Sequence, residues 1–177
     1  CGRVGEIETG CHFGELALAL LERSSMQTGN VRTLVNTHFF IKPWQNHLRD
    51  TLEPLQKASQ IGMESGELTF AAYALHDYCL HSYFSSQKLA ILAEEMPVYG
   101  ETLSKLRQER MLQLNKLYRQ VILNLMGESD QPCNLNGPLY NEEEMRLLHE
   151  QANDKTALCG LYFNKLTLSY LFGDYQE

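Results

Sequence analysis

What this sequence lacks bounds it first. No run of about 18 apolar residues occurs, so no segment reads as a membrane span. Signal-peptide patterning is missing at the start. Basic clusters are missing too: 15 Lys and Arg stand against 22 Asp and Glu, a net charge of -7. The densest basic stretch, from Lys105 to Arg119, also carries Glu109 and reads as the wet face of a helix. An acidic chain without a basic patch repels a phosphate backbone, so nucleic acid is not an expected partner. The five cysteines, Cys1, Cys11, Cys79, Cys133 and Cys159, are odd in number, scattered and without a CxxC pair. That pattern argues against a disulfide framework or a zinc knuckle and points to the reducing cytoplasm. Val, Ile and Thr are sparse, and no stretch alternates with period two for long enough to read as a strand.

What is present is helical spacing from end to end, which predicts an all-α chain of about six to eight helices. A first helix is expected from about Cys11 to Met26, with Phe13, Leu16, Leu20 and Leu21 as its apolar stripe, widened by Leu18 and the alanines, and Gly29-Asn30 as its stop. A second is expected over about 31–41, halted or kinked by Pro43. A third, about 48–64, places Leu52, Leu55, Ala58, Ser59 and Gly62 on one face, and Gly66 is suited to a left-handed cap. A nearly all-apolar fourth, about 68–83, carries Ala71, Ala72 and Ala74, small enough for close helix packing. A fifth over about 88–95 meets Pro97 and continues bent, and a sixth spans about 110–126. A loop follows over 127–140. Asn141, with Glu144 three residues on, caps a short helix, and Asp154 caps the last, about 155–172. Hairpins of roughly 34 residues fit this spacing, the period of tetratricopeptide repeats, although that signature is not intact. The expected architecture is a right-handed stack of antiparallel hairpins, a tetratricopeptide-like α-solenoid. It forms a single domain over residues 1–177. Cys1, without an initiating Met, reads as mid-chain sequence, so the chain is expected to be part of a larger protein.

Catalytic patterns are missing. Neither a phosphate-binding GxxxxGK[ST] loop nor kinase motifs occur, and His47, His76, His81 and His149 lack a phosphoacceptor context. His76 and Cys79 share a helix face, but two ligands do not close a zinc site, and His81 lies too far around the helix to join. The acids Glu142, Glu143 and Glu144 suit a helix N-terminus without an ion. Adjacent Cys11 and His12 diverge by about 100°, a poor nucleophile–base geometry. No catalytic residue, cofactor site or metal ligand is therefore assigned. Aromatic residues remain. Phe39, Phe40, Pro43 and Trp44, the one Trp, cluster at a helix break, either as a wedge between hairpins or as a partner anchor. Phe40, Trp44, Tyr78 and Tyr118 are the candidate partner contacts.

Several strings go beyond generic helix: IETGCHFGELA at 7–17, FIKPW at 40–44 followed by His47, and GMESGEL at 62–68. YRQ at 118–120 with LNL at 123–125, QANDKTAL at 151–158, KL at 165–166 and YLFGD at 170–174 continue the series. Together they resemble the helical region of large bacterial multi-domain signalling proteins. Those proteins join a Ser/Thr-kinase-like domain, an AAA-type ATPase domain, a tetratricopeptide-like stretch, GAF or PAS sensors and a histidine kinase. The resemblance spans essentially the whole chain. Cys11 departs from an aromatic preference, and 128–136 reads as loop variation. The family's catalytic residues lie in other domains, so none is carried over. The resemblance implies a non-catalytic interaction and linker module of a two-component signal-transduction protein. Its partners would be other domains of the same chain, other proteins, or a second copy meeting through exposed terminal hairpins. The alternative is a helical sensor with a small ligand held between helices.

Overall fold

The computed structural model describes residues 5–23 and 30–175. Among them it is all-helical: eight α-helices, no strand, and one isolated bridge between Asn136 and Asn141. The chain forms two compact units, Cys1–Gln87 and Lys88–Glu177.

The first unit holds α1 (Ile7–Arg23), α2 (Asn30–Asn36), α3 (Leu52–Ser65) and α4 (Leu68–Phe84). Its tightest contact is between α3 and α4. A Cβ on Gly62 would stand 2.8 Å from Ala71 Cβ and 3.1 Å from the Ala71 backbone, so the two helices touch main chain to side chain. Gly66 ends α3 in the left-handed conformation at φ 81°, as its sequence position anticipates. Val31, Val35, Ala58 and Ala74 form a buried cluster that ties α2 onto this pair, flanked by Leu34, Ile61, Phe70 and Tyr73.

Two expectations about this unit need correction, its first helix's start and its stripe, and a third gains detail. Helix α1 begins at Ile7, and only the Leu18 and Leu21 side of the apolar stripe expected for it packs. Cys11 and Gly14 are buried, with Ile7, Leu18 and Leu21 half-buried, while Phe13, Leu16 and Leu20 face solvent. Two apolar rows run along α1, and the row with the smaller residues seats: a Cβ on Gly14 would meet Ile41 at 2.9 Å. The expected end at Met26 and the stop at Gly29 lie outside the described residues. Pro43 does not simply halt the second helix. Residues Thr37–Ile41 widen into a π-helical turn, in which Lys42 N–H donates to Thr37 O, and Lys42–Trp44 tighten into a 3₁₀ turn. Pro43 has no N–H to give Phe39 O, which loosens the ladder there. For the same reason Leu48–Thr51 is a 3₁₀ turn ahead of α3: Pro54 cannot donate to Asp50 O.

The second unit holds α5 (Leu89–Lys105), α6 (Glu109–Leu125), α7 (Glu142–Gln151) and α8 (Lys155–Phe172). Helix α5 runs through Pro97 without ending. Asn115 of α6 donates Nδ2–H to Met96 O at 3.2 Å, and its Oδ1 lies 2.9 Å from where a Cβ on Gly100 would be. The expected caps form: Asn141 accepts from Glu144 N–H and Asp154 from Ala157 N–H. The loop between α6 and α7 is bound to α6. Asn124 donates to Pro132 O and Asn134 O, and Gln120 donates to Asn124 and accepts from Leu139 N–H. Leu135 and Tyr140 of this loop are buried.

The α3–α4 contact makes a specific prediction. Substituting Val at Gly62 would raise helix propensity by a few tenths of a kcal/mol but force Ala71 and its backbone away, a cost of about 1–3 kcal/mol. Urea unfolding of Gly62→Val should therefore show lower stability, and an unchanged midpoint would refute the contact.

Candidate interaction surface

The π-helical turn and the 3₁₀ turn after it place the most prominent surface feature of the first unit. Phe39 points inward and stacks on His81, ring centroids 5.1 Å apart and planes 12° apart. Phe40 meets Phe39 edge-on at 4.7 Å and is 61% exposed. Trp44 is 50% exposed, and its Nε1–H donates to Phe40 O at 3.0 Å, occupying a carbonyl near the break. Three rings therefore lead from a buried histidine to solvent. Wedge and anchor readings of this cluster describe different residues: Phe39 packs, while Phe40 and Trp44 are presented.

Beneath them lies a buried polar group. Thr51 Oγ1 donates to Leu48 O at 2.7 Å and lies 2.6 Å from His81 Nδ1. With its one proton committed to Leu48, Thr51 accepts from His81, which sets the Nδ1–H tautomer. Burial pushes the His81 imidazole down to about 4, so it is neutral near pH 7. Asp77, one turn earlier on α4, is buried, and burial alone pushes its carboxyl up to about 8. Arg49 Nε donates to Ser85 O at 3.1 Å at the end of the same helix.

The other two candidate contacts sit elsewhere. Tyr78 is buried in the first unit and Tyr118 in the second. The Tyr118 hydroxyl lies 4.0 Å from where a Cβ on Gly160 would stand, so this ring serves α6–α8 packing. Neither ring is presented as a partner contact, because both sit on helix faces that other helices cover.

A groove of about 510 Å³ in the first unit is lined by residues that include Leu18, Leu21, Leu34, His38, Lys57 and Ile61. His38 Nδ1 is buried without a hydrogen-bond partner, and burial, then Lys42, pulls its imidazole below the usual range. In the second unit Arg110 grips Asp154 with two bonds, 2.6 and 2.9 Å, and holds that carboxyl down to about 2. Asp154 is thereby kept charged as the cap of α8. Among the described residues no three His, Cys, Asp or Glu side chains gather as metal ligands, and no helix is long and apolar enough to cross a membrane.

No family model, curated protein or solved structure matches this chain.

The sequence predicts exposed apolar side chains on the terminal hairpins without naming them. Helix α8 buries Ala157, Leu161, Asn164 and Leu168 on one side and exposes Cys159, Tyr162, Phe163, Leu166 and Tyr170 on the other. The buried row and the exposed Cys159, Phe163, Leu166 and Tyr170 each follow a 4-3-4 spacing, with Tyr162 beside the second, and that doubled pattern was the available signal.

The buried pair on α4 predicts a pH profile. Between about pH 4 and 6.5 folding makes Asp77 take up a proton and His81 release one, so their slopes oppose. From 6.5 to about 8 only Asp77 acts, and stability falls as pH rises, by at most about 1.4 kcal/mol per pH unit. Urea unfolding across this range should show that fall. Asp77→Asn should abolish it and leave a rise below 6.5 from His81, joined by the other lowered imidazoles, His38 and His149. An identical profile in the variant would show that Asp77 is not the group responsible.

Proposed function

We propose that this chain is a non-catalytic interaction and linker module, a tetratricopeptide-like stack of helical hairpins within a cytoplasmic bacterial signal-transduction kinase. In that reading it stands between the ATPase part and the sensor and histidine kinase parts. The ordered strings from 7–17 to 170–174 support the family, and the all-helical chain is compatible with it. The observation that carries the interaction reading is the exposed Phe40–Trp44 pair, held by Phe39, His81 and the Trp44–Phe40 hydrogen bond. Aromatic side chains dominate the energetics of protein interfaces, and a pre-ordered ring loses little entropy when it docks. Apolar rows turned outward on α1 and α8 add surface of the same kind.

The groove, lined by apolar Leu18, Leu34 and Ile61 and by polar Glu22, His38, Glu53 and Lys57, favours a second reading, a sensor for a small ligand with both apolar and polar groups. A thermal-shift screen separates the two. Stabilisation by a small molecule that disappears in Leu34→Trp would favour the sensor.

The interaction reading has its own test. A photo-reactive phenylalanine analogue at position 40, in the protein expressed in its native cells, should form adducts with protein. The same group at Glu94, an exposed polar position on α5, should not. Phe40→Ala and Trp44→Ala should leave folding stability within about 1 kcal/mol, because both side chains are largely outside the core. Equal cross-linking at the two positions would remove the support for Phe40 as a contact.

A further inference from the structure

Helix α8 is apolar on two opposite sides, and only one is covered. A helix apolar all round is normally buried all round. Helix α4, with the same character, has Ala71, Ala72, Ala74, Leu75, Tyr78 and Cys79 all buried. On α8 the outer row, Cys159, Tyr162, Phe163, Leu166 and Tyr170, falls within about 100° of arc and carries no charge. Tyr162, Phe163, Leu166 and Tyr170 are each between 47% and 70% exposed. Lys165, the one charged residue between Lys155 and Asp174, is turned aside to Glu142 at 2.6 Å.

The order of residues along this row identifies what fits it. The row is self-complementary about a point between Asn164 and Lys165. Two copies laid antiparallel about a two-fold axis there set Phe163 of one protomer opposite Leu166 of its partner, and Cys159 opposite the partner's Tyr170. A small side chain meets a large one, as interdigitated packing requires. At each end Lys155 meets the partner's Asp174 and the negative end of its helix, a favourable pairing of charge. A two-fold interface needs every contact to occur twice by symmetry; the pairs 163–166 and 159–170 meet that condition, while Tyr162 falls opposite Thr167 at the edge of the row. The 4-3-4 spacing is that of a two-helix seam. The four large side chains expose on the order of 100 Å² each, with Cys159 and the row's edges adding to this. Two copies therefore bury roughly 1,000 Å², the lower bound for a specific interface.

We propose that the outer face of α8 binds a second copy of this chain, antiparallel, with the two-fold axis between Asn164 and Lys165. This rests on reading the chain as an interaction module and names the partner of one of its surfaces. The interface is small, so the dimer is weak, with a Kd on the order of 10–100 μM.

Sedimentation equilibrium of the 177-residue chain, from micromolar to submillimolar concentration, tests the pairing. The unaltered chain should dimerise. Leu166→Lys, on an exposed position and with folding checked by circular dichroism, should weaken association about tenfold or more. Lys155→Glu and Asp174→Lys should each weaken it by about threefold, and the double reversal should return it to within about twofold. A monomer at every concentration, a dimer indifferent to Leu166→Lys, or no rescue by the double reversal overturns the proposal. So does a Cys159–Cys159 disulfide on mild oxidation, which marks a parallel pair. Cross-linking from position 40 concerns a different surface, so failure of the dimer leaves the interaction reading to be decided by that result alone.

Discussion

How closely two helices approach is decided in each unit at a glycine, and the other elements are arranged around that contact. At Gly62 the contact is with the Cβ and backbone of Ala71, neither of which can move without moving α4. With α4 fixed on α3, Ala74 reaches Val31 and Val35 of α2, and His81 reaches Thr51 before α3. At Gly100 the contact is with the Asn115 side chain, whose amide also donates to Met96 O one turn earlier. The Asn115 Nδ2–H is satisfied, while its Oδ1, the atom against Gly100, is buried without a hydrogen-bond partner, so the contact fixes register and distance at a cost.

The broken helical ladder before α3 converts this packing into a surface. Pro43 and Pro54 each remove a donor, so the chain between α2 and α3 runs through π and 3₁₀ turns. A break of that kind exposes backbone carbonyls, and here two of them are taken by side chains: Phe40 O by the Trp44 indole and Leu48 O by the Thr51 hydroxyl. The result is a rigid mount rather than a loose loop. Phe39 is anchored on the neutral His81 ring, and Phe40 and Trp44 are presented to solvent at fixed angles. The buried carboxyl of Asp77 opposes folding at neutral pH, so the mount includes a destabilising group that hydrophobic burial in the same unit has to offset.

Features with a local cause were legible in the sequence. Gly66, Asn141 and Asp154 terminate or begin helices through their own backbone or side-chain chemistry, and the small residues of α3 and α4 lie at the close contact. Choices between two local options were not legible. On α1 two apolar rows compete, and the one with Gly14 packs because it fits against Ile41, a residue 27 positions away. Pro97, by contrast, reads as a bend that the helix survives, and α5 runs through it. Of the four candidate contacts, Phe40 and Trp44 are presented and Tyr78 and Tyr118 are not, since helical spacing alone does not show which faces neighbours cover. The loop over 127–140 was legible as a loop, but its attachment to α6 was not, although Gln120 and Asn124 are polar on a face that is otherwise apolar.

The same reasoning separates what α8 needs for folding from what it does not. Ala157, Leu161, Asn164 and Leu168 face α6 and α7 and account for its attachment, aided by the Arg110–Asp154 cap and the Lys165–Glu142 pair. Nothing in this packing requires Tyr162, Phe163, Leu166 or Tyr170 to be apolar. Lys or Glu at those positions would have equal or better helix propensity and remain in water. A surface helix that met only solvent would carry charges there, because scattered exposed apolar side chains are ordinary but a continuous uncharged row is not. The row therefore answers to a contact outside the unit's own packing. Its spacing, its matched sizes about one centre and its opposite charges at the two ends make its own antiparallel copy the surface that satisfies all three features together.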